Sequence, residues 1–551
     1  MSPILSFLFG TCLGIFLGTS CFAQIFQWAK QMGSTGWDEG TSIVTDQDHQ
    51  IYVLGLFQGT VDMDPGPGIF ALTSVGEKDA FICKLDADGD FVWAKQYGDS
   101  AAIDEKGALA IDSLGNLYTT NSFVGKVDMN PGPDSFVLTS QGWDRDIFIQ
   151  KLDKDGNFLW AKQISAQPSW RPAPVHSNAI AVDDNSNLYL TGYFDGTVDF
   201  DPDSSTSFEM EAPMTNGFVC KLDANGGFVW AKEFEGGFGV GAVGYAIAVD
   251  GDQQVYTTGT VGGTVDFDPG PGTFFLTPSD PFAGEAYLSK LDASGNFVWA
   301  KALGPGIGYA LAVDEQGNAY CGNAHSGGAN AIAKFDGPGN LVWSHPLEGT
   351  FGLFAMSTDH RRQLYVSGSC CIDTITVDLD PGPSVYSLTG SGTFISRYDS
   401  LGNFGSAGLL ENSQVHALTS DQADNVYATG YFWDATDFDL GPSTFDLQAS
   451  HYDVFVLKLT SPETVGVDEQ PKREQVKVYP NPTAGKLRVE FDQTQSEIQL
   501  VLRNLLGQSL LSTTVSDSHQ ADMSIQGSSG VYLLEVFDEQ HRKTVLRLVK
   551  K

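Results

Sequence analysis

The sequence predicts an all-β fold built from a repeated unit, and three observations support this prediction. The composition favours strands and turns, because the 551 residues include 62 Gly and 36 Phe while only 18% are charged. An Asp followed six residues later by a Tyr recurs in seven similar surroundings along the chain. Apolar residues alternate on both sides of an Asp/Gly/Asn turn at each place, which is the pattern of a β-hairpin.

The spacing of the repeat indicates how many strands each unit contains. The recurring tyrosines are Tyr52, Tyr118, Tyr189, Tyr256, Tyr320, Tyr365 and Tyr427. A second hairpin follows each of them, for example Phe81–Asp86 and Asp90–Lys95 around a short turn, so each unit has four strands. The shortest interval, 45 residues, matches the roughly 40–50 residues of one propeller blade.

The ends of the array predict that the units close into a ring. The array begins with a fourth strand that has no third strand before it, Phe26–Lys30. It finishes with a third strand that has no fourth strand after it, Val454–Leu459. Pairing residues 26–31 with residues 454–459 completes the last unit and leaves no exposed edge. The sequence therefore predicts a seven-bladed β-propeller over residues 24–460.

Tryptophans at one equivalent position of the fourth strands predict packing between blades. They are Trp28, Trp93, Trp160, Trp230, Trp299 and Trp343. The fourth strand of the sixth unit, near Phe404, lacks this Trp, so we expect the sixth blade to be the least well packed. The recurring text Asp-x-x-Gly-Asn-x-Tyr, Gly-x-Phe-x-Gly-Thr-Val-Asp-Phe, Asp-x-Phe-x-x-Lys-Leu-Asp and Phe-Val-Trp-Ala-Lys resembles the SBBP-type β-propeller repeat. This resemblance covers residues 25–460 and implies the fold but no single activity.

Residues 1–23 have the character of a signal peptide. Ile4–Leu17 is mostly apolar and too short to span a bilayer, and Ala23 is a small residue at the expected cleavage position. The alternative is a lipoprotein in which Cys21 is acylated. Gly18 argues against this alternative, because a lipobox prefers Leu at that position. No other segment is apolar for long enough to predict a transmembrane helix, and the sparse cysteines predict no disulfide framework.

Beyond Thr460 the repeat stops, and residues 461–475 predict a polar linker. Apolar and polar residues then alternate over five predicted strands, which are Val476–Tyr479, Lys486–Phe491, Ile498–Leu502, Val531–Phe537 and Thr544–Val549. This length and pattern predict a small Ig-like β-sandwich over residues 476–551.

Three short motifs stand in order in this C-terminal module. They are Tyr479-Pro480-Asn481-Pro482 with Gly485, then Gly530 with Tyr532, and finally the basic end Lys550-Lys551. Together they resemble the type A C-terminal sorting domain of the type IX secretion system. The resemblance implies passage through the periplasm, contact with the type IX secretion machinery, and a final place in the medium or on the outer cell surface. It also implies a source among the Bacteroidota and removal of the domain after export.

The charge of the chain is acidic and unevenly distributed. Residues 472–551 contain 11 Lys/Arg and 9 Asp/Glu, a net charge of +2. The whole chain has a net charge of −37, so the remaining residues have a net charge of −39. A body this acidic repels the phosphates of nucleic acids and anionic lipid heads. The sequence therefore predicts no nucleic-acid partner and favours divalent cations, neutral glycans or basic proteins.

Six repeats carry an acidic insert between the second and third strands. Pairs of carboxylates separated by one residue include Asp62 with Asp64, Asp266 with Asp268, and Asp378 with Asp380. In an extended segment both members of such a pair face the same side, so they could bind calcium, which prefers clustered oxygen ligands. The alternative is ordinary turn chemistry, because Asp before Pro-Gly is common in turns.

Four tryptophans lie outside the fourth strands, in connections that we expect to share one face of the propeller with the inserts. They are Trp37, Trp143, Trp170 and Trp433. Aromatic side chains near Asp and Asn suit sugar rings or protein partners, so these four are the predicted ligand-binding residues. Loop packing is the alternative for each of them.

The sequence contains no pattern typical of a catalytic site. It has no G-x-S-x-G, H-E-x-x-H, phosphate loop or C-x-x-C. We therefore predict an exported, noncatalytic binding protein. The alternative is an extracellular hydrolase or lyase acting on polysaccharide, because propellers also host such sites. Two or three carboxylates converging on an open pocket would favour the enzyme, whereas a filled or flat face would favour binding.

Overall fold

The computed structural model describes residues 24–98, 107–140, 144–167, 174–236, 241–279, 284–325, 330–347, 349–370, 376–382, 384–460, 477–479, 483–504, 509–526, 530–537 and 543–551. The regular elements of these residues are strands. The described residues include no helix long and apolar enough to span a bilayer. The chain divides into two compact units, Met1–Pro462 and Glu463–Lys551.

The first unit contains 38 of the described strands. Strands β1–β7 are Ile25–Met32, Glu39–Thr45, Ile51–Phe57, Thr60–Asp62, Ala71–Thr73, Asp79–Leu85 and Phe91–Tyr97. Strands β8–β13 are Ala108–Ile111, Leu117–Phe123, Lys126–Asp128, Val137–Thr139, Asp146–Leu152 and Phe158–Ala166. Strands β14–β17 are Val175–Val182, Leu188–Asp199, Glu209–Leu222 and Phe228–Gly236. Strands β18–β23 are Ala242–Val249, Val255–Val261, Val265–Asp266, Phe275–Leu276, Glu285–Leu291 and Phe297–Pro305. Strands β24–β27 are Ile307–Val313, Ala319–Ala324, Ala331–Phe335 and Leu341–Pro346. Strands β28–β33 are Thr350–Thr358, Leu364–Cys370, Thr376–Asp378, Ser387–Thr389, Gly392–Tyr398 and Phe404–Glu411. Strands β34–β38 are Ser413–Ser420, Asn425–Phe432, Ala435–Asp437, Asp446–Gln448 and Asp453–Thr460.

Four-stranded antiparallel arrays follow one another along this unit, and we number them in chain order. Sheets 1 to 6 are β2-β3-β6-β7, β8-β9-β12-β13, β14-β15-β16-β17, β18-β19-β22-β23, β24-β25-β26-β27 and β28-β29-β32-β33, and sheet 7 is β34-β35-β38-β1. The first strands touch in a closed circle, because β2 contacts β8, β8 contacts β14, β14 contacts β18, β18 contacts β24, β24 contacts β28, β28 contacts β34, and β34 contacts β2. This all-β arrangement of radial sheets is a β-propeller.

The two ends of the ring close by strand pairing, as the sequence predicts. Strand β1 pairs antiparallel with β38, with Phe26 opposite Leu459 and Gln31 opposite Phe455. Sheet 7 therefore takes its fourth strand from the beginning of the ring and its other three strands from the end. The prediction that residues 26–31 share a sheet with residues 454–459 is confirmed.

The recurring Asp–Tyr pair explains why each first hairpin has the same shape. In sheet 4, one carboxylate oxygen of Asp250 accepts the backbone N–H groups of Asp252 and Gln254, which fixes the turn. Its other oxygen accepts the hydroxyl of Tyr256 at 3.0 Å. The same Tyr-to-Asp hydrogen bond, at 2.9 to 3.1 Å, occurs in all seven sheets.

Tryptophans of the fourth strands lie between neighbouring sheets. Trp93 packs on Tyr52 of its own sheet with ring centroids 6.1 Å apart. Its outer edge lies against Gly156 in the last turn of sheet 2, where a Cβ atom would come within 3.2 Å of the indole. Gly156 has φ of +76°, so this turn needs glycine both for its backbone conformation and for the close approach of the indole.

The second compact unit has five strands in one connected sheet. Strands β39–β43 are Lys477–Tyr479, Lys486–Asn504, Ser509–Ser524, Gly530–Phe537 and Lys543–Lys550. The order is β39-β40-β42-β43, with β41 also paired to β40. The predicted strands Lys486–Phe491 and Ile498–Leu502 are one long strand, and β41 was missed because its Ser- and Thr-rich sequence lacks apolar alternation. Buried residues such as Leu487, Leu500 and Leu534 form a core for this unit.

Candidate ligand-binding site

The paired carboxylates of the inserts hold the backbone of their own turns. Asp62 Oδ1 accepts the N–H groups of Asp64 at 3.1 Å and Phe70 at 2.9 Å, and Asp64 Oδ1 accepts the N–H of Gly66 at 2.8 Å. The pairs Asp266/Asp268 and Asp378/Asp380 make the same three kinds of bond. This is the hydrogen-bonding of turn chemistry. In the described residues no group of three or more His, Cys, Asp or Glu side chains could hold a metal ion, and calcium binding stays a prediction.

The inserts run along the outer rim of the propeller, which corrects the expectation that they share one face with the tryptophans. The insert of sheet 1 starts beside the end of strand β1, where Asp62 bridges to Gly33. It then reaches the start of strand β7, where Phe70 packs on Phe91 with centroids 4.9 Å apart. The end of one fourth strand and the start of another lie on opposite faces of the propeller. The insert therefore crosses the rim and does not stay on the face where it began.

An open groove of about 550 Å³ lies beside this insert. Its lining includes Trp28 and Lys30 of strand β1, Asp62 and Asp64 of the insert, and Phe445 of the next insert along the rim. The groove is part of the rim and is separate from the tryptophans of the connections.

Two of the four predicted ligand-binding tryptophans come together at the seam where sheets 7 and 1 meet. Trp37 stacks on Tyr452 with ring centroids 4.2 Å apart, and Trp433 lies 6.1 Å from the same tyrosine. Tyr431 lies 5.5 Å from Trp37 and 5.9 Å from Trp433. We call these four half-buried rings, Trp37, Tyr431, Trp433 and Tyr452, the seam platform. Trp143 and Trp170 lie outside the described residues.

Strand geometry builds the seam platform from both ends of the ring. Tyr431 and Trp433 are separated by one residue at the end of strand β35, so their side chains point the same way. Trp37 and Tyr452 form a parallel bridge, and the N–H of Asp38 donates to the carbonyl of Tyr452 at 2.9 Å. Sequence reasoning missed Tyr431 and Tyr452, and the alternation Tyr431-Phe432-Trp433 is the signal that could have found the first.

Polar and charged groups surround the seam platform. Lys78 Nζ lies over the Trp37 ring, 5.4 Å from its centroid. His416 packs on the edge of Tyr431, and its Nδ1 lies 3.0 Å from the carbonyl of Gly40 and 3.7 Å from a Glu39 carboxylate oxygen. Such a mixture of aromatic faces and hydrogen-bonding groups can hold a ligand that has both apolar faces and hydroxyl groups.

Two carboxyl groups lie beneath the seam platform and are closed off from solvent. Asp38 and Asp453 are 0% and 1% exposed. Burial, with a smaller contribution from the charge of Asp453, raises the pKa of Asp38 to about 6. Burial also raises the pKa of Asp453. Neither carboxyl group reaches the surface of the protein, and Glu39 is also buried, with 6% of its surface exposed.

The sorting motifs of the C-terminal unit meet at one end of its sheet. The backbone of Thr483 pairs with the last strand, donating to Val549 at 2.8 Å and accepting from Lys551 at 2.9 Å. Gly485 accepts the N–H of Ile525, whose own carbonyl accepts Lys550 Nζ at 3.0 Å. Strand β42 places Gly530 opposite Lys550 and Tyr532 opposite Leu548. Pro480 and Pro482 lie outside the described residues.

Comparisons with known proteins identify the C-terminal unit. Residues 477–551 match the family described as "Secretion system C-terminal sorting domain". This match confirms the type IX sorting domain and indicates export to the cell surface or the medium.

Comparisons for the rest of the chain give more distant similarities. The chain is 24% identical over 520 residues to an uncharacterized WD repeat-containing protein, L264, of Acanthamoeba polyphaga mimivirus. The alignment covers 75% of this chain and 36% of that protein, so the chain spans about a third of its relative. Among solved structures, the Dos1 propeller matches with 9% identity and a TM-score of 0.36, covering 79% of this chain and 95% of the other. The C-terminal WD40 domain of Sif2 matches with 9% identity and a TM-score of 0.35, covering 78% and 99%.

Proposed function

We propose that this chain is an exported, noncatalytic binding protein that holds a neutral glycan on the seam platform. The observation that carries the proposal is the convergence of four half-buried aromatic rings from both ends of the ring on one seam. The sorting domain supports the place of action, because an exported protein meets the polysaccharides of the cell surface and the medium.

The architecture that we propose has one functional part and two parts that serve delivery. Residues 1–23 are a signal peptide, and residues 24–460 are a seven-bladed propeller of the SBBP type. Residues 461–475 are a linker, and residues 476–551 are an Ig-like sorting domain that acts with the type IX machinery of a member of the Bacteroidota. The closed circle of first strands supports the blade count.

The chemistry of the seam platform favours a neutral sugar over other ligands. Aromatic faces such as those of Trp37 and Trp433 cover the apolar C–H faces of sugar rings, and the indole N–H and phenol O–H groups are hydrogen-bond donors. The Trp37 indole nitrogen is itself buried, so we expect Trp37 to contribute its ring face and not a hydrogen bond. The strongly acidic body disfavours polyanions, which leaves neutral glycans ahead of acidic ones.

The position of the carboxyl groups supports binding over polysaccharide cleavage. A glycosidase of the common type needs two carboxyl groups that flank the scissile bond. Asp38, Glu39 and Asp453 beside the rings are buried, whereas Asp434, which follows Trp433 in the chain, is exposed. A hydrolase or lyase is therefore the second candidate, to be tested beside binding.

The test is a glycan-array measurement on the full-length protein, followed by titration of the best neutral glycan. Trp433→Ala should weaken binding at least about tenfold, because aromatic anchors of a binding site carry much of its free energy. Leu159→Ala is the matched control, since Leu159 is an exposed apolar side chain on the rim of sheet 2 and should bind as wild type does.

Three results would contradict the proposal. Equal binding by Trp433→Ala and wild type would separate the glycan from the seam platform. Release of new reducing or unsaturated ends from a panel of polysaccharides, lost in Glu39→Gln, would establish the enzyme instead. Binding only to basic proteins would replace the glycan with a protein partner.

A further inference from the structure

Two buried acids adjoin the parallel bridge that brings together the two stacked rings of the seam platform. Asp38 follows Trp37 in the chain, and Asp453 follows Tyr452. The rings stack at 4.2 Å, and the N–H of Asp38 donates to the carbonyl of Tyr452. Each carboxyl group therefore belongs to a residue directly next in the chain to one of the stacked rings.

Each of these carboxyl groups is only partly satisfied. Asp38 Oδ1 accepts the N–H of Gln58 at 3.2 Å, and Asp453 Oδ2 accepts the side-chain amide of Gln31 at 2.6 Å and the N–H of Ser450 at 3.0 Å. Asp38 Oδ2 and Asp453 Oδ1 are buried and have no hydrogen-bond partner in the structure. A buried, unpartnered carboxylate oxygen is costly, and two neighbouring charges raise that cost further.

The charged groups around the pair do not neutralise it. His451 is exposed and its charge favours ionisation of Asp453 to a small degree. Lys78 lies over the Trp37 ring, and His416 is placed beside Glu39. The nearby Ser34 and the N–H of Gln58 favour ionisation of Asp38, yet burial remains the larger effect and raises its pKa. The space for rearrangement is small, because a Cβ atom on Gly33 would lie 2.2 Å from the Asp453 carboxyl carbon.

We propose that Asp38 and Asp453 together hold one proton from solvent, and that this proton keeps Trp37 stacked on Tyr452. When both carboxyl groups ionise, their repulsion loosens the seam and disassembles half of the seam platform. The pKa of Asp38, raised to about 6, places this change between pH 5 and pH 7. A ligand held by the stacked rings would bind more tightly at acidic pH and be released at neutral pH. Only this last consequence rests on the proposed function.

The first test measures the seam without any ligand. Hydrogen exchange of the Asp38 amide, which donates to Tyr452, is followed at pH 5 and pH 7.5 in the full-length protein and corrected for the intrinsic pH dependence of exchange. Protection should fall at least about tenfold at the higher pH, because one pKa unit corresponds to a tenfold change in population. In Asp38→Asn, and in Asp453→Asn as a second variant, protection should no longer depend on pH.

Asp146→Asn is the matched control, because Asp146 is another buried acid whose pKa burial raises to about 6, and it lies in sheet 2 away from the seam. This variant should keep the wild-type pH dependence at Asp38. Protection that is independent of pH in wild type, or that changes equally in Asp146→Asn, would overturn the proposal. So would loss of protection on adding a chelator at pH 5, since a cation would then bridge the acids.

The second test separates this inference from the proposed function. If the neutral glycan binds, its affinity should fall as pH rises from 5 to 7.5 in wild type and stay constant in Asp38→Asn. If no glycan binds but the protection of Asp38 changes with pH as described, the proton site stands and the glycan proposal fails. If the glycan binds and the protection of Asp38 does not change with pH, the glycan proposal stands and the proton site fails.

Discussion

Sheet 5 has only residues 325–330 between its second and third strands, whereas the other sheets carry an insert there, and comparison with sheet 4 shows what the insert does. In sheet 4 the insert pairs with the neighbouring fourth strand, with Asp266 opposite Glu235, and Phe274 packs on Phe297 at 4.9 Å. In sheet 5 the equivalent of Phe297 is Leu341, which is 57% exposed. The insert is therefore both a link between sheets and a cover for the outer strand.

The edge that sheet 5 leaves uncovered is protected in a different way. The insert of sheet 3 pairs with Ser165 and Ala166 of strand β13, and the insert of sheet 4 pairs at the equivalent place in strand β17. At that place in strand β23, beside sheet 5, stand Gly304 with φ of +104° and Pro305. Proline has no N–H to donate, so this edge resists pairing with a foreign strand.

The largest effect that we expect tests the anchoring of an insert. Phe267 in the insert of sheet 4 is fully buried between sheets, so Phe267→Ala should cost about 3–5 kcal/mol of the free energy of unfolding. Phe275, in the same insert, is 60% exposed, and Phe275→Ala should change it by less than about 0.5 kcal/mol. Urea unfolding of both variants measures this. Equal losses of stability in the two variants would mean that the exposed Phe275 anchors the insert as strongly as the buried Phe267 does.

A second prediction concerns the acid at the start of the third strand. In sheet 2, Asp146 accepts the side-chain amide of Gln163 and the N–H of Ala166, whereas sheet 5 has an amide, Asn330, which donates to Thr350. The raised pKa of Asp146, about 6, means that the fold favours its neutral form. Its contribution to stability is present below about pH 4 and is lost as pH rises through 6.

Asp146→Asn should therefore be more stable than wild type at pH 7, by at most about 3 kcal/mol, and no more stable at pH 4. Thermal unfolding at the two pH values measures the difference. A variant that is less stable than wild type at pH 7 would show that Asp146 is charged and needed as such.

The third prediction tests whether the Asp–Tyr pair works equally in the sheet without an insert. Tyr320 in sheet 5 donates to Asp314 at 3.1 Å, as Tyr256 in sheet 4 donates to Asp250 at 3.0 Å. Removing either hydroxyl takes one donor from the carboxylate oxygen that it bonds, although Asp314 Oδ2 keeps the side-chain amide of Asn318, and we expect a cost of about 1 kcal/mol. Tyr320→Phe and Tyr256→Phe should lose similar amounts in chemical unfolding, and a clear difference would tie the pair to the insert.

The smallest effect comes from the outer strand itself. Phe297→Thr in sheet 4 removes an aromatic pair and should cost about 1 kcal/mol. Leu341→Thr in sheet 5 changes an exposed side chain and should stay within about 0.5 kcal/mol of wild type. Chemical unfolding of the two single variants compares them. A larger loss in Leu341→Thr would show that sheet 5 has a cover that the comparison with sheet 4 does not reveal.

Features repeated along the chain could be predicted from the sequence, because each copy supports the same interpretation. The Asp-to-Tyr spacing predicted the repeat, and the fourth-strand tryptophans and the unpaired end strands predicted contacts that the structure contains. The course of the inserts could not be predicted in this way. Their direction depends on where Phe70 and Asp62 find partners in two different sheets, and no local pattern encodes that.

The candidate site was predictable only in part, for a related reason. Trp37 and Trp433 were identifiable as tryptophans outside the repeat, but their meeting requires the ring to close. Tyr452 and the buried acids Asp38 and Asp453 look like ordinary loop residues in sequence. Their significance arises from packing between residues more than 400 positions apart, at the seam.

The pairing of β1 with β38 also governs how the propeller can form. Every other sheet takes its four strands from one stretch of the chain, so it can assemble from local contacts as the chain emerges. Sheet 7 must wait until residues 453–460 are available, when almost the whole ring has been made. Such a contact is slow to form because of its long sequence separation, although the entropy of closing a long loop grows only slowly with length. Ring closure is therefore the expected slow step of folding, and cleavage within strand β38 would return the propeller to an open chain of sheets.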